Sequence, residues 1–345
     1  MNQEYKRRKR YSGTHPRKFS EKYKEHNPDK YQDEIEKIIS KGNTPAGMHI
    51  SIMVNEILEV LKIKPGEIGL DATLGYGGHT LKMLEQLKGV GHIFATDIDP
   101  IELEKTKKRL VEKGYNEDIL TIKNINFCNI DQIEENLKFD FVLADLGVSS
   151  MQIDNPERGF SFKHDGPLDL RLNPNIGVPV SERLKEITEK ELYNILVTNA
   201  DEPYARPIAR QIMKKTWEGT PISTTRELYN AIAMALADLP KNKKKETIKK
   251  SCQRVFQALR IDINSELDVL AIFLDKLSKM MKPGGRIAIL TFHSGEDRIV
   301  KKSFKTLFKE GVYKEISDGV IRPSDEEIYK NPRSKSTKLR WAIKS

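Results

Sequence analysis

The sequence predicts an α/β fold, a doubly wound, Rossmann-like sheet interrupted by an inserted helical domain. Three observations carry the prediction. Short apolar runs alternate with helical patterns from Ile68 to Ala144, the alternation stops for over a hundred residues, and it resumes at Ile287. The chain is organised around Asp71 to Thr80, DATLGYGGHT. It follows the apolar run Ile68 to Leu70 and precedes a helical pattern at Leu81, Leu84 and Leu87, so it reads as strand, glycine turn and helix. That junction is where doubly wound sheets bind nucleotides. Gly75, Gly77 and Gly78 suit a turn with positive φ and close backbone approach to a ligand.

Asp71 narrows the ligand. A carboxylate at the end of the first strand repels a pyrophosphate but suits a cationic ligand such as S-adenosylmethionine (SAM), which carries an ammonium and a sulfonium and no phosphate. A tight turn with a solvated Asp71 reads the same from this stretch alone.

The remaining elements follow in order. Residues before the loop show helical periodicity at Val54, Ile57, Leu58 and Leu61. Ile93 to Thr96 is a second strand ending at Asp97, placed to accept hydrogen bonds from ribose hydroxyls. Asp99, Pro100 and Glu102 form a capping-box pattern that starts the next helix, and Gly114 ends it. Ile119 to Lys123 is a third strand, with Phe127 beyond it either covering an adenine or packing in the core. Phe139 to Ala144 is an apolar fourth strand ending at Asp145, on the active edge of such a sheet. Helical patterns then occupy 181 to 197, 203 to 215 and 224 to 238, and Lys241 to Lys250 reads as a basic, solvated loop. The sheet resumes with Ser265 as a cap, Glu266 to Met281 as a helix, KPGGR at Lys282 as a turn, and the strand Ile287 to Leu290. Lys338 to Ile343 closes the chain as an edge strand.

Composition sets the outer bounds. The 345 residues carry a net charge of +9, of which +6 lies in residues 1 to 30 (ten Lys/Arg against four Asp/Glu). Such an arm follows phosphates or serves as a solubilising tail. No apolar run approaches a membrane span. Cys128 and Cys252 form no metal or redox spacing, which fits a reducing, cytoplasmic setting. The seven histidines include no pair at ligand spacing, so no metal is expected.

Six runs taken together resemble one family, the ribosomal RNA small-subunit cytosine N4-methyltransferases of the MraW or RsmH type. They are DATLGYGGHT at 71, DIDP at 97, DLGVSSMQIDNPERGFSFKHDGPLDLRL at 145, FQALRIDINSEL at 256, TFHSGEDRIVK at 291 and NPRSKSTKLRWAI at 331. The resemblance implies a class I SAM-dependent methyltransferase sheet, built from 46–150 and 256–345, around an inserted substrate domain at 151–255 and preceded by a basic arm at 1–45. It implies methylation of the exocyclic amine of a decoding-region cytosine in 16S rRNA, on free RNA or the small ribosomal subunit, with dimerisation left open. The positions matching its cofactor site are Gly77, Gly78, His79, Asp97, Phe127, Asp145 and Gln152. Leu170 in place of Met, KKSCQR before FQALRI, and Gly295 in place of Leu depart from the pattern.

An exocyclic cytosine amine is a weak nucleophile, so its chemistry needs alignment and an acceptor for its hydrogens. Asp145 is the candidate acceptor, with cofactor contact as its competing role. Phe160 and Phe162 are candidates for stacking on an extruded base, and Arg158 and Arg171 for phosphates. Arg260, His293, Asp297 and Arg298 are further rim candidates. A non-catalytic RNA-binding assembly factor, a nicotinamide oxidoreductase and a DNA amino-methyltransferase are the competing readings. The absence of GxGxxG spacing and of a DPPY-like motif argues against the last two.

Overall fold

The computed structural model describes residues 51–345; the basic arm at 1–45 lies outside them. A seven-stranded sheet has the order β3-β2-β1-β4-β5-β7-β6. The strands are β1 (Ile68–Asp71), β2 (His92–Thr96), β3 (Leu120–Lys123), β4 (Phe139–Asp145), β5 (Met281–Thr291), β6 (Tyr313–Ile316) and β7 (Lys338–Lys344). The first five run parallel and β7 runs antiparallel to both its neighbours. Strand order reverses between β1 and β4, so their carboxyl ends, Asp71 and Asp145, open the crevice where ligands bind in such sheets.

The central strands are apolar on both faces, and each face has its own core. On one, Leu70, Phe139, Val142 and Ile289 meet Phe273, Leu277 and Phe304. On the other, Ile93, Phe141 and Leu143 meet α1 (Val54–Leu61) and α2 (Gly78–Leu87) through Ile57, Leu61, Met83 and Leu84. α3 (Pro100–Glu112) begins at Asp99, whose side chain accepts from the backbone N–H of Ile101 and Glu102. The capping box expected there is incomplete. The Asp99 N–H donates to Asp97 at 2.8 Å, and Glu102 bonds Lys105 instead.

After β4 come α4 (Ser150–Asp154), α5 (Val180–Glu186), α6 (Glu189–Ala200), α7 (Ala205–Trp217), α8 (Thr225–Ala235) and α9 (Lys241–Asn264). They share a core that runs from Phe160 to Leu259. Four expectations change here. The helix read over 181 to 197 is two helices, because Thr188 and Glu191 form a capping box that starts a second one. The lysine-rich loop is the first part of α9: Ile248, Cys252, Val255, Phe256 and Leu259 form a buried helical stripe that carries the preceding residues with it. This single helix passes unbroken through residue 255, so the expected boundary falls inside an element. Ser265 ends α9 in the left-handed region, and its side chain caps nothing.

α10 (Glu266–Met280) leads into β5, in which Lys282 to Gly285 bulge out of register opposite Phe139 and Phe141. α11 (Ser294–Lys309) follows, and α12 (Asp325–Lys330) precedes β7. β7 is an interior strand. The edge is β6, whose central lysine and glutamate conceal its pairing from a reading by hydrophobicity.

Candidate active site

The glycine loop is fastened from below. The Gly75 N–H donates to Asp97 at 2.7 Å, the Gly75 carbonyl accepts from Thr106 at 2.6 Å, and the Tyr76 carbonyl accepts from Arg109 at 2.7 Å. Neighbouring side chains crowd the place of a Cβ at two of the glycines. A Cβ on Gly77, which sits at φ 76°, would lie 2.8 Å from the Thr106 methyl, and one on Gly78 would lie 2.1 Å from Ser51 Oγ. The Gly77 N–H also turns inward, to Leu74.

Three carboxylates line this edge of the sheet. Asp71 is buried, with Oδ2 accepting from Thr80 at 2.6 Å and Oδ1 from the Thr73 N–H at 3.1 Å, so both its oxygens are engaged within the protein. Burial raises its pKa. Asp97 accepts backbone N–H groups at both oxygens, yet desolvation pushes it up to about 6. Asp145 is pushed up to about 6 by burial, against the pull of His79. Its backbone N–H is held by Thr73 at 2.7 Å, its Oδ2 lies 3.6 Å from His79 Nδ1, and its Oδ1 is buried with no hydrogen-bond partner. A buried acceptor left open in this way is primed for a donor brought by a ligand.

The model of the MraW methylase family matches residues 46–345. The chain belongs to that family. It is 61% identical over 342 residues to ribosomal RNA small subunit methyltransferase H 1 of Lachnoclostridium phytofermentans, covering 99% of this chain and 93% of the relative. The protein of the same name from Agathobacter rectalis is 61% identical over 343 residues, covering 99% and 98%. Ribosomal RNA small subunit methyltransferase H 2 of Acholeplasma laidlawii is 54% identical over 338 residues, covering 98% of both.

In this MraW-family methylase the expected cofactor positions fall into two groups. Gly77, Gly78, His79, Asp97 and Asp145 converge on the loop and strand ends, and Phe127 stands near them, half-buried and edge-on to Phe273 with centroids 5.0 Å apart. Gln152 lies on α4 with both ends of its amide hydrogen-bonded. Its amide nitrogen donates to Asp99 at 2.7 Å and its oxygen accepts from the Ser149 N–H at 2.9 Å, so it locks α4 onto the start of α3.

Most of the residues expected to contact RNA are engaged within the protein. Arg158 is buried, 2.6 Å from Asp99, with its other nitrogen on the carbonyls of Arg171 and Leu172. Phe160 is buried in the helical core, and Phe162 packs against Tyr229 and Phe256. Arg171 grips both oxygens of Asp169 and the Gly177 carbonyl. Arg260 grips both oxygens of Glu266, and Asp297 is held by Lys338 and Arg340. Arg158 and Arg260 tie the helical region to the sheet region, Arg171 closes on its own loop, and Arg298 is exposed.

His293 caps α11, its Nδ1 accepting from the Glu296 N–H and its Nε2 lying 3.1 Å from Glu296 Oε1. Glu266, His293 and Glu296 are close enough together to hold a metal, which spacing along the chain did not reveal. The cation seated in that cluster is the Arg260 guanidinium. Glu296 itself was missed by the sequence reading: buried, it adds its field to that of Asp71 at Asp145. Its signal was the position three residues after His293, a capping-box spacing with an unusual cap.

Proposed function

We propose that this chain transfers a methyl group from SAM to the exocyclic N4 amine of a decoding-region cytosine in small-subunit (16S) ribosomal RNA. The observation that carries the reading is the unpartnered Asp145 Oδ1 at the carboxyl end of β4, an acceptor for amine hydrogens. Family membership and the names of the relatives supply the reaction class and the ribosomal RNA.

The residues present fit SAM. Asp71, Asp97 and Asp145 gather at one sheet edge, a donor set suited to an ammonium, ribose hydroxyls and a sulfonium and unsuited to a pyrophosphate. Asp97 and Phe127 would hold the adenosine, and the loop Gly75 to His79 would flank it. Bound there, SAM supplies an electrophilic methyl. Asp145 orients the amine and draws off its hydrogen, and Thr73 Oγ1, accepting from the Asp145 backbone N–H, holds the end of β4 that carries it.

With Arg158, Arg171 and Arg260 turned inward, phosphate contacts fall to other cations. The opening turns of α9 expose Lys241, Lys245 and Lys249, spaced four apart on one face. Like charges four apart repel, and cations at a helix N-terminus oppose its dipole, each by a few tenths of a kcal/mol. A phosphate backbone reverses the sign of both. Replacing the three lysines by Gln is expected to reduce the slope of log K against log salt for RNA binding by about 2, at about 0.7 per lost contact on single strands, with SAM affinity unchanged. A parent-like slope removes this surface from the reading.

The deciding experiment is transfer of labelled methyl from SAM to free 16S rRNA and to small subunits lacking the modification, followed by digestion to nucleosides. Label on cytosine N4 supports the proposal, and the better substrate identifies the partner. Label on a ring carbon or a ribose refutes the amine. RNA binding without transfer favours an assembly factor.

A further inference from the structure

His79 lies in the first turn of α2 and is 8% exposed. Its Nε2 is 2.9 Å from the carbonyl oxygen of Ile52. A carbonyl only accepts, so Nε2 carries the hydrogen and the neutral ring presents a bare Nδ1. That nitrogen faces Asp145 Oδ2 at 3.6 Å. Two lone-pair atoms therefore oppose each other across a gap that nothing bridges until one proton arrives.

We propose that Asp145 and His79 form a slot for a single proton, which receives the hydrogen released by the amine during methyl transfer. The proposal rests on the reading given under Proposed function and adds a residue that acts through Asp145. As the amine nitrogen bonds the methyl carbon, the carbon–sulfur bond breaks and its electron pair stays on sulfur. The amine N–H bond then breaks with its pair left on nitrogen. Asp145 Oδ1 takes the proton, and a turn of the carboxyl about its Cβ–Cγ bond hands that same proton to His79 Nδ1, leaving an imidazolium. The positive charge lost at sulfur reappears on His79, so the total charge among the carboxylates is the same before and after.

The surroundings favour that exchange. Asp71 on β1 and Glu327 on α12 feel the charge of His79, while Asp71 and Glu296 on α11 act on Asp145 from the other side. Glu296 is balanced by His293 and Arg260, so it contributes less than a bare carboxylate. An imidazolium is thereby held by negative charge from three elements, while the Ile52 carbonyl keeps its ring from turning.

Two measurements test the slot. The first is the nitrogen-15 spectrum of the His79 ring in the full chain without SAM, for the parent and Asp145→Asn. The expected neutral form has hydrogen on Nε2, and the Nδ1 resonance shifts when Asp145 is replaced. Hydrogen on Nδ1 in the neutral ring, or an Nδ1 resonance indifferent to Asp145, overturns the proposal. The second uses His79→Gln, whose side-chain amide can still donate toward Ile52 but cannot take a proton. Single-turnover methyl transfer at saturating SAM is expected to slow about 10- to 100-fold, and the acid limb of the pH–rate profile is expected to move. A uniform loss with an unmoved limb, or a parent-like rate, overturns it. If the parent transfers no methyl to small subunits, the functional reading fails instead, and the ring spectrum alone decides whether the slot exists.

Discussion

Asp145→Asn is expected to lower kcat for methyl transfer by about 10²- to 10⁴-fold while SAM still binds. The substitution keeps the shape of the side chain and an acceptor oxygen but removes the basicity that draws the amine hydrogen away. The same carboxylate sets the pH dependence. Burial holds its pKa at about 6, and only the ionised form accepts. Turnover in the parent is therefore expected to fall as pH drops through about 6 and to level off above it. Stability runs the other way. A carboxyl whose folded pKa is raised contributes most below the ordinary carboxylate range, and that contribution is lost as pH rises through about 6. Asp145→Asn is accordingly expected to melt no lower than the parent at neutral pH. Single-turnover rates and thermal melts across that range test both statements, and turnover near the parent value would remove Asp145 from the chemistry.

Arg158→Met is expected to destabilise the fold by about 3–5 kcal/mol, because it leaves a buried carboxylate without its cation. Asp99 is nearly inaccessible, and Arg158 reaches it at 2.6 Å beside the Gln152 amide. Asp99 also donates its N–H to Asp97 and starts α3, so loosening it disturbs the ribose-facing carboxylate. The expected signature is a lower denaturation midpoint together with a higher KM for SAM. A cost below about 1 kcal/mol would show that Gln152 and the helix N–H groups satisfy Asp99 alone. RNA affinity measured on the folded fraction is expected to stay near the parent value, since this arginine does not face solvent.

These two residues mark how far a reading of the chain reaches. The place of Asp145 at the end of a central strand was legible without the fold, because an apolar strand followed by an acid is a local pattern with a general physical meaning. Asp97 and the DATLGYGGHT turn were identified in the same way. The burial of Arg158 was not legible, for an equally general reason. An arginine flanked by aromatic residues is the composition of an RNA contact and also of a buried joint, and the difference depends on Asp99, 59 residues earlier in the chain.

The lysine run at 241 shows the same limit at the level of secondary structure. Its first seven residues contain no apolar stripe, and they are helical because Ile248, Cys252 and Val255 further along bury against the helical core. β6 is a four-residue strand with two exposed charged residues, and it exists because β7 offers it an unpaired edge. Glu296 joined the site through a capping geometry that brings its carboxylate toward Asp145.

By itself the sequence determined the class of sheet, the position of the glycine turn and the acids at the strand ends. Those follow from residue spacing within one element, where periodicity, steric freedom and charge act over a few neighbours. Tertiary structure decided which charges face a ligand and which face one another. It turned Arg158, Arg171 and Arg260 inward, left the lysines of α9 outside, and set His79 against Asp145. Such pairings join residues far apart in the chain, and a buried charge takes whichever partner the fold brings within hydrogen-bond reach.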